Sequence, residues 1–137
     1  MLQPENPEHR LHWYALVATA LIGLMIAVAT LAPAGTLPSV PGTDKYHHPL
    51  AFAALTFPTA FLRPRLLFWV FPIAVAYGGL IEVLQPHFGR QREFADVTAD
   101  AIGALMGVAI GLSLRLWILK TANPIRILNR RRSGSAN

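Results

Sequence analysis

The chain has no cysteine among its 137 residues, which excludes a disulfide framework and thiolate chemistry of any kind. Other marks of a nucleophilic enzyme are missing too. There is no G-x-S-x-G turn and no lysine inside an apolar run, and none of Ser39, Ser113, Ser133 and Ser135 stands beside a histidine. No compact two-histidine metal signature such as H-E-x-x-H occurs. Charge is scarce, at 14% of residues, while 53% are hydrophobic. That balance departs from the soluble average in the membrane direction. The formal net charge is +5, but no basic, aromatic-bearing soluble domain remains once the apolar runs are removed, so nucleic acid is not an expected partner.

What is present is a succession of apolar runs. Residues 13–32 carry no charge and are enough to cross ~30 Å of hydrocarbon as a helix. Trp13 and Tyr14 at its start suit an interface. Ala32-Pro33-Ala34 resembles a small-residue cleavage site, but the run exceeds the usual ~7–15-residue signal core and the preceding tail is not strongly positive, so the helix is expected to be retained. Prolines and a glycine make 33–41 an extended loop. Thr43 or Asp44 then caps a second, short helix over about 46–62, with Pro49 tolerable only in the first turn. Arg63-Pro64-Arg65 ends it. A third helix covers about 66–85, with Pro72 as its kink and Pro86 as its stop. After a loop turning on Gly89, a fourth covers about 95–119, with Arg115 late and Trp117 and Lys120 at its boundary. The expected organisation is a polar N-tail over 1–12, a four-span membrane domain over 13–120, and a basic, disordered tail over 121–137.

Polar residues gather near the ends of these runs. Glu82 and Gln85 are three apart and share a helix face. Asp96 and Asp100 are four apart and share another, and the same stripe continues through Gly103, Gly107 and Gly111, a small-residue ladder for close helix packing. Asp44 and His48 share a face at the mouth of the second helix. An acid at mid-bilayer costs about 2.5–3.5 kcal/mol on insertion scales, and less near the interface, so such groups need partners or water. The N-tail, the second connection and the C-tail hold eight Lys and Arg residues, against three in the other two connections. The positive-inside rule therefore puts both termini in the cytoplasm, and Asp44, His48, Glu82, Gln85, Arg90, Asp96 and Asp100 at the outer face.

This pattern resembles the VanZ-like family of small bacterial membrane proteins. The residues that carry the resemblance are Asp44-Lys45 with His48, Gly78 with Glu82 and Gln85, Gly89-Arg90, Asp96, Asp100, and Gly103 with Gly107. They span about half of the chain. Two departures stand out. The position of Asp100 is often Asn in that family, and His47 and Pro49 flank His48, which leaves His47 and His48 both as candidates to face the cluster. The resemblance implies an inner-membrane protein linked to the cell envelope and to glycopeptide (teicoplanin) susceptibility. It implies no settled biochemical activity.

The plain reading of the acids is structural, as interhelical glue satisfied by Arg90, Lys45 or a proton. The functional reading is an outward-opening pocket for a head group or other amphiphile. A metal set of His48 with Asp and Glu is chemically allowed, but without a compact signature no metal or other cofactor is expected. The chain is thus read as an all-α, integral-membrane four-helix bundle, with Asp44, His48, Glu82, Gln85, Arg90, Asp96 and Asp100 as its polar cluster and Gly103, Gly107 and Gly111 as packing residues. Its expected partners are membrane lipid, an amphiphilic ligand and, in one alternative, a larger membrane complex of which it is an accessory subunit. The other alternative is a membrane enzyme acting on a lipid head group. No catalytic residue is singled out. Reporter fusions test the topology: those after Arg65 and after Asn137 should read cytoplasmic and one after Gly42 external. An external C-terminus would leave three spans.

Overall fold

The computed structural model describes residues 7–32, 44–91 and 93–134, with side chains described for 9–32, 46–91 and 93–122. Within them the protein is all-helical. Four helices follow one another: α1 (Pro7–Leu31), α2 (Asp44–Leu62), α3 (Leu67–Leu84) and α4 (Phe94–Gly134). Short 3-10 turns, Pro64–Leu66 and Gln85–Phe88, bracket α3. Three stretches are long and apolar enough to cross a membrane: His9–Leu31, Pro64–Phe88 and Phe94–Ala122. The helix α2 is not among them. It carries Asp44, Lys45, His47 and His48 in its first turns, and Pro49 and Pro58 inside it.

Several boundaries differ from the sequence expectation. The first helix begins at Pro7, within the expected tail, as suits a proline in a first turn, where its missing N–H has no partner to lose. Pro49 lies beyond the first turn of α2, not inside it. The carbonyl it leaves unpaired belongs to Lys45, at the polar mouth of the helix, where the loss is cheap. The last helix continues to Gly134, so the expected disordered tail is helical as far as that residue. Arg, frequent in this part, is a good helix former. The expected loop at 33–41 lies outside the described residues.

The helices alternate in direction. Thr19 and Thr59 share a hydroxyl hydrogen bond of 2.9 Å, and Gly23 lies against Leu55, so α1 and α2 are antiparallel. Gly103 meets Pro49, Gly107 meets Ala53 and Thr56, and Gly111 meets Ala60 and the Phe57 carbonyl, so α2 and α4 are parallel. This is the most extensive helix pair in the fold, while α1 and α3 also pack on α2. The helix α2 is therefore the most enclosed: Phe52, Leu55, Thr56, Thr59 and Ala60 are all buried. A small core of Ile26, Phe52, Leu55, Ala74, Ile81 and Ala104 fills the centre.

Polar groups inside the bundle are tied to backbone carbonyls. Thr56 donates to the Ala104 carbonyl at 2.8 Å, and the Tyr77 hydroxyl donates to the Gly23 carbonyl at 2.7 Å. Arg115 donates from one guanidinium nitrogen to the Phe61 and Leu62 carbonyls at 2.8 and 3.1 Å, capping the C-terminus of α2. Large apolar side chains point outward instead, among them Leu24, Met25, Phe68, Ile73 and Trp117.

The seam between α2 and α4 sets a testable contrast. A Cβ at Gly107 would collide with the Ala53 carbonyl and the Thr56 hydroxyl, whereas one at Gly79 meets nothing within 4 Å. Gly107→Ala should destabilise by about 1–3 kcal/mol through forced separation of the helices. Gly79→Ala should stabilise by about 0.5–1 kcal/mol through helix propensity. Reversible unfolding in mixed detergent reads both, and equal effects would contradict the close seam.

Candidate functional site

Three helix ends meet at one end of the bundle: the N-terminus of α2, the C-terminus of α3 and the N-terminus of α4. The α2–α4 seam ends there, at Pro49 against Gly103, and delivers His48 next to Asp96 and Asp100. His48 Nδ1 lies 3.0 Å from Asp100 Oδ1, and its Nε2 lies 3.4 Å from Asp96 Oδ2. An ionised carboxylate only accepts, so the short contact is an Nδ1–H donated to Asp100. Asp96 sits in the first turn of α4, where the unpaired N–H groups of a helix start favour a negative charge.

Glu82 reaches the same place from α3. It is 1% exposed, and its Oε2 accepts the Glu93 backbone N–H at 2.9 Å. With its amide nitrogen turned toward Glu82, Gln85 donates to the two carboxylate oxygens at 3.1 and 3.3 Å. The chain then reverses on Gly89, whose φ of 75° is open to glycine at no steric cost. The Arg90 N–H donates back to the Gln85 carbonyl at 3.2 Å. Gln85 and Asp100 are as buried as Glu82. One oxygen of Asp100, Oδ2, is buried with no hydrogen-bond partner among the described residues and lies against Gly78, one turn along α3 from Glu82.

The structure thus brings His48, Glu82, Gln85, Asp96 and Asp100 together. His48 rather than His47 faces the cluster, since His47 is exposed. Arg90 lies on the adjoining loop but makes no ion pair with these acids among the described residues, so the acid–arginine pairing expected from the sequence does not form; the Gly89 turn commits the Arg90 backbone to Gln85 instead. The side chain of Asp44 lies outside the described residues. Gly103, Gly107 and Gly111 all line the α2–α4 seam.

Some polar residues in the bundle drew no attention in the sequence. Thr56, Thr59 and Tyr77 are short or amphipathic and look unremarkable within apolar runs. Arg115 carried a readable signal: an arginine inside an apolar helix needs an acceptor, and the end of a neighbouring helix supplies one. No family model, curated protein or solved structure matches the chain. The likeness to VanZ-like proteins therefore rests on the residue pattern alone.

Chemically, the cluster is a set of carboxylates around one imidazole, and no Lys or Arg among the described residues pairs with it. Removing Glu82 should be costly. Glu82→Ala leaves the Glu93 N–H and the Gln85 amide without their acceptor, at about 1–3 kcal/mol for the buried amide and less for the part-buried N–H. Asp100→Asn keeps the volume and an oxygen for His48, so it should cost clearly less. Melting temperatures of both variants in detergent check this order, and a Glu82→Ala protein as stable as Asp100→Asn would contradict it.

Proposed function

We propose that the chain is an integral protein of the bacterial cytoplasmic membrane that crosses it four times with both termini inside. On this reading it is a non-enzymatic envelope protein whose polar cluster holds the head group of an amphiphile at the outer face. Three helices have the length and apolarity to span, and their large apolar side chains point outward. The fourth span, α2, is supported by its course: it lies along α4 from Gly103 to Arg115 and is covered by the other helices, so Thr56 and Thr59 face protein. The basic-residue asymmetry supports the orientation.

One observation carries the reading of the cluster. Four side chains that a membrane segment would otherwise avoid converge at one end of the bundle, buried or half-buried, with no cationic side chain among the described residues to neutralise them. Such a site accepts positive charge and hydrogen-bond donors, as intramembrane ionisable residues do when they serve a ligand. The VanZ-like pattern supports an envelope role and a link to glycopeptide susceptibility. A second reading, an enzyme acting on a lipid head group, draws on the same contact, because a carboxylate-bound imidazole beside further carboxylates is able to move protons.

Native mass spectrometry of the protein extracted in mild detergent tests the proposal. The wild type should retain an amphiphile that Asp96→Asn loses, with the substrate-sized mass unchanged after incubation. An identical lipid profile in both proteins would contradict a head-group site, and a chemically altered amphiphile would favour the enzyme.

A further inference from the structure

We infer that the positive charge taken by this cluster is a divalent first-row metal ion, held by His48, Glu82 and Asp96 with Asp100 as the positioning residue behind His48. The inference rests on the reading of the cluster as a binding site and names what it binds. One ligand atom from each of His48, Glu82 and Asp96 lies within 4.8 Å of the others. These three residues come from three different helices, so the donor set is assembled by the fold and not by one helix face.

The orientation of His48 adds an independent argument. Its Nδ1–H is committed to Asp100 Oδ1 at 3.0 Å, so a neutral His48 carries its lone pair on Nε2. In that form the lone pair faces the Asp96 carboxylate across 3.4 Å, two acceptors separated by more than the usual 2.7–3.2 Å of an N–H···O bond. A tetrahedral ion with bonds of about 2.0–2.1 Å sets its donors about 3.4 Å apart. A carboxylate behind a histidine, fixing its tautomer and raising its basicity, is the customary support of an imidazole ligand. Glu82 has comparable support from the Glu93 N–H and the Gln85 amide.

Asp100 supplies the second observation. It is 1% exposed, and its Oδ2 is buried beside Gly78 with no hydrogen-bond partner among the described residues. A buried carboxylate in that condition is costly unless a nearby positive charge or a proton balances it. One imidazole with two carboxylates suits Zn²⁺ or Mn²⁺ better than the all-oxygen ions Mg²⁺ and Ca²⁺. Three protein ligands also leave a coordination position open toward the head group.

The test uses full-length protein in detergent, stripped with a chelator, reloaded with Zn²⁺ or Mn²⁺, desalted and analysed for bound metal. Wild type should retain one ion per chain and melt at a higher temperature when loaded. His48→Gln and Asp96→Asn should lose that ion, and Asp100→Asn, with all three ligands intact and the same helical circular dichroism, should bind about 10–100-fold more weakly. His87→Gln, exposed and outside the donor group, should bind as wild type does. Failure of the wild type to retain either ion overturns the inference, as does retention by both ligand variants, or displacement of Zn²⁺ by equimolar Mg²⁺ or Ca²⁺. Loss of amphiphile in Asp96→Asn without metal binding by the wild type would end this inference alone. Metal binding with an unchanged lipid profile would end the head-group reading alone.

Discussion

The close approach of α2 to α4 is the constraint on which the rest of the structure depends. Gly103, Gly107 and Gly111 present bare backbone to Pro49, Ala53, Thr56 and Ala60, and any side chain on that stripe would hold the helices apart. The two helices run parallel, so the seam has a polar consequence at each end. At one end it seats His48 on Asp100; at the other it places Arg115 under the open carbonyls of Phe61 and Leu62. Between them Thr56 bonds to the Ala104 carbonyl, a contact available only when backbones are near. Small residues and hydroxyls together bring this pair close, the kind of packing that joins helices where apolar side chains gain nothing by pairing.

The same seam accounts for the composition of α2. A helix with two prolines, two histidines and two threonines is a poor candidate for facing hydrocarbon. Surrounded by α1, α3 and α4, it has no need to. Its burial leaves the other three helices to carry the apolar exterior. The division of labour also explains why the polar cluster sits where it does. Only the mouth of an enclosed helix lets a histidine meet acids from two neighbours while remaining half-buried.

The helical class and the three long apolar helices were legible because the runs are long and nearly free of charge. The stripe through Asp96, Asp100 and the glycines was legible because helical spacing is local. What the stripe packs against was not, since nothing in the order of residues pairs Gly103 with Pro49 rather than with α1 or a second chain. Arg90 misled for a related reason: an arginine among acids suggests a pair, but the left-handed turn at Gly89 ties its backbone to Gln85. The two adjacent histidines were equivalent in sequence, and only the rotation of α2, set by the glycine seam, distinguishes His48 from His47. The extension of α4 to Gly134 was not legible because polar composition outweighed the helix propensity of Arg.

The central claim is that the α2–α4 seam couples the head of α2 to α4 through His48 and Asp100. A double-mutant cycle measures it most directly, using His48→Gln, Asp100→Asn and the pair, each followed by reversible unfolding in sodium dodecyl sulfate. The account predicts non-additivity of about 0.5–3 kcal/mol, as for residues in one buried hydrogen-bonded contact. Additive effects, within about 0.3–0.5 kcal/mol as for distant sites, would contradict it.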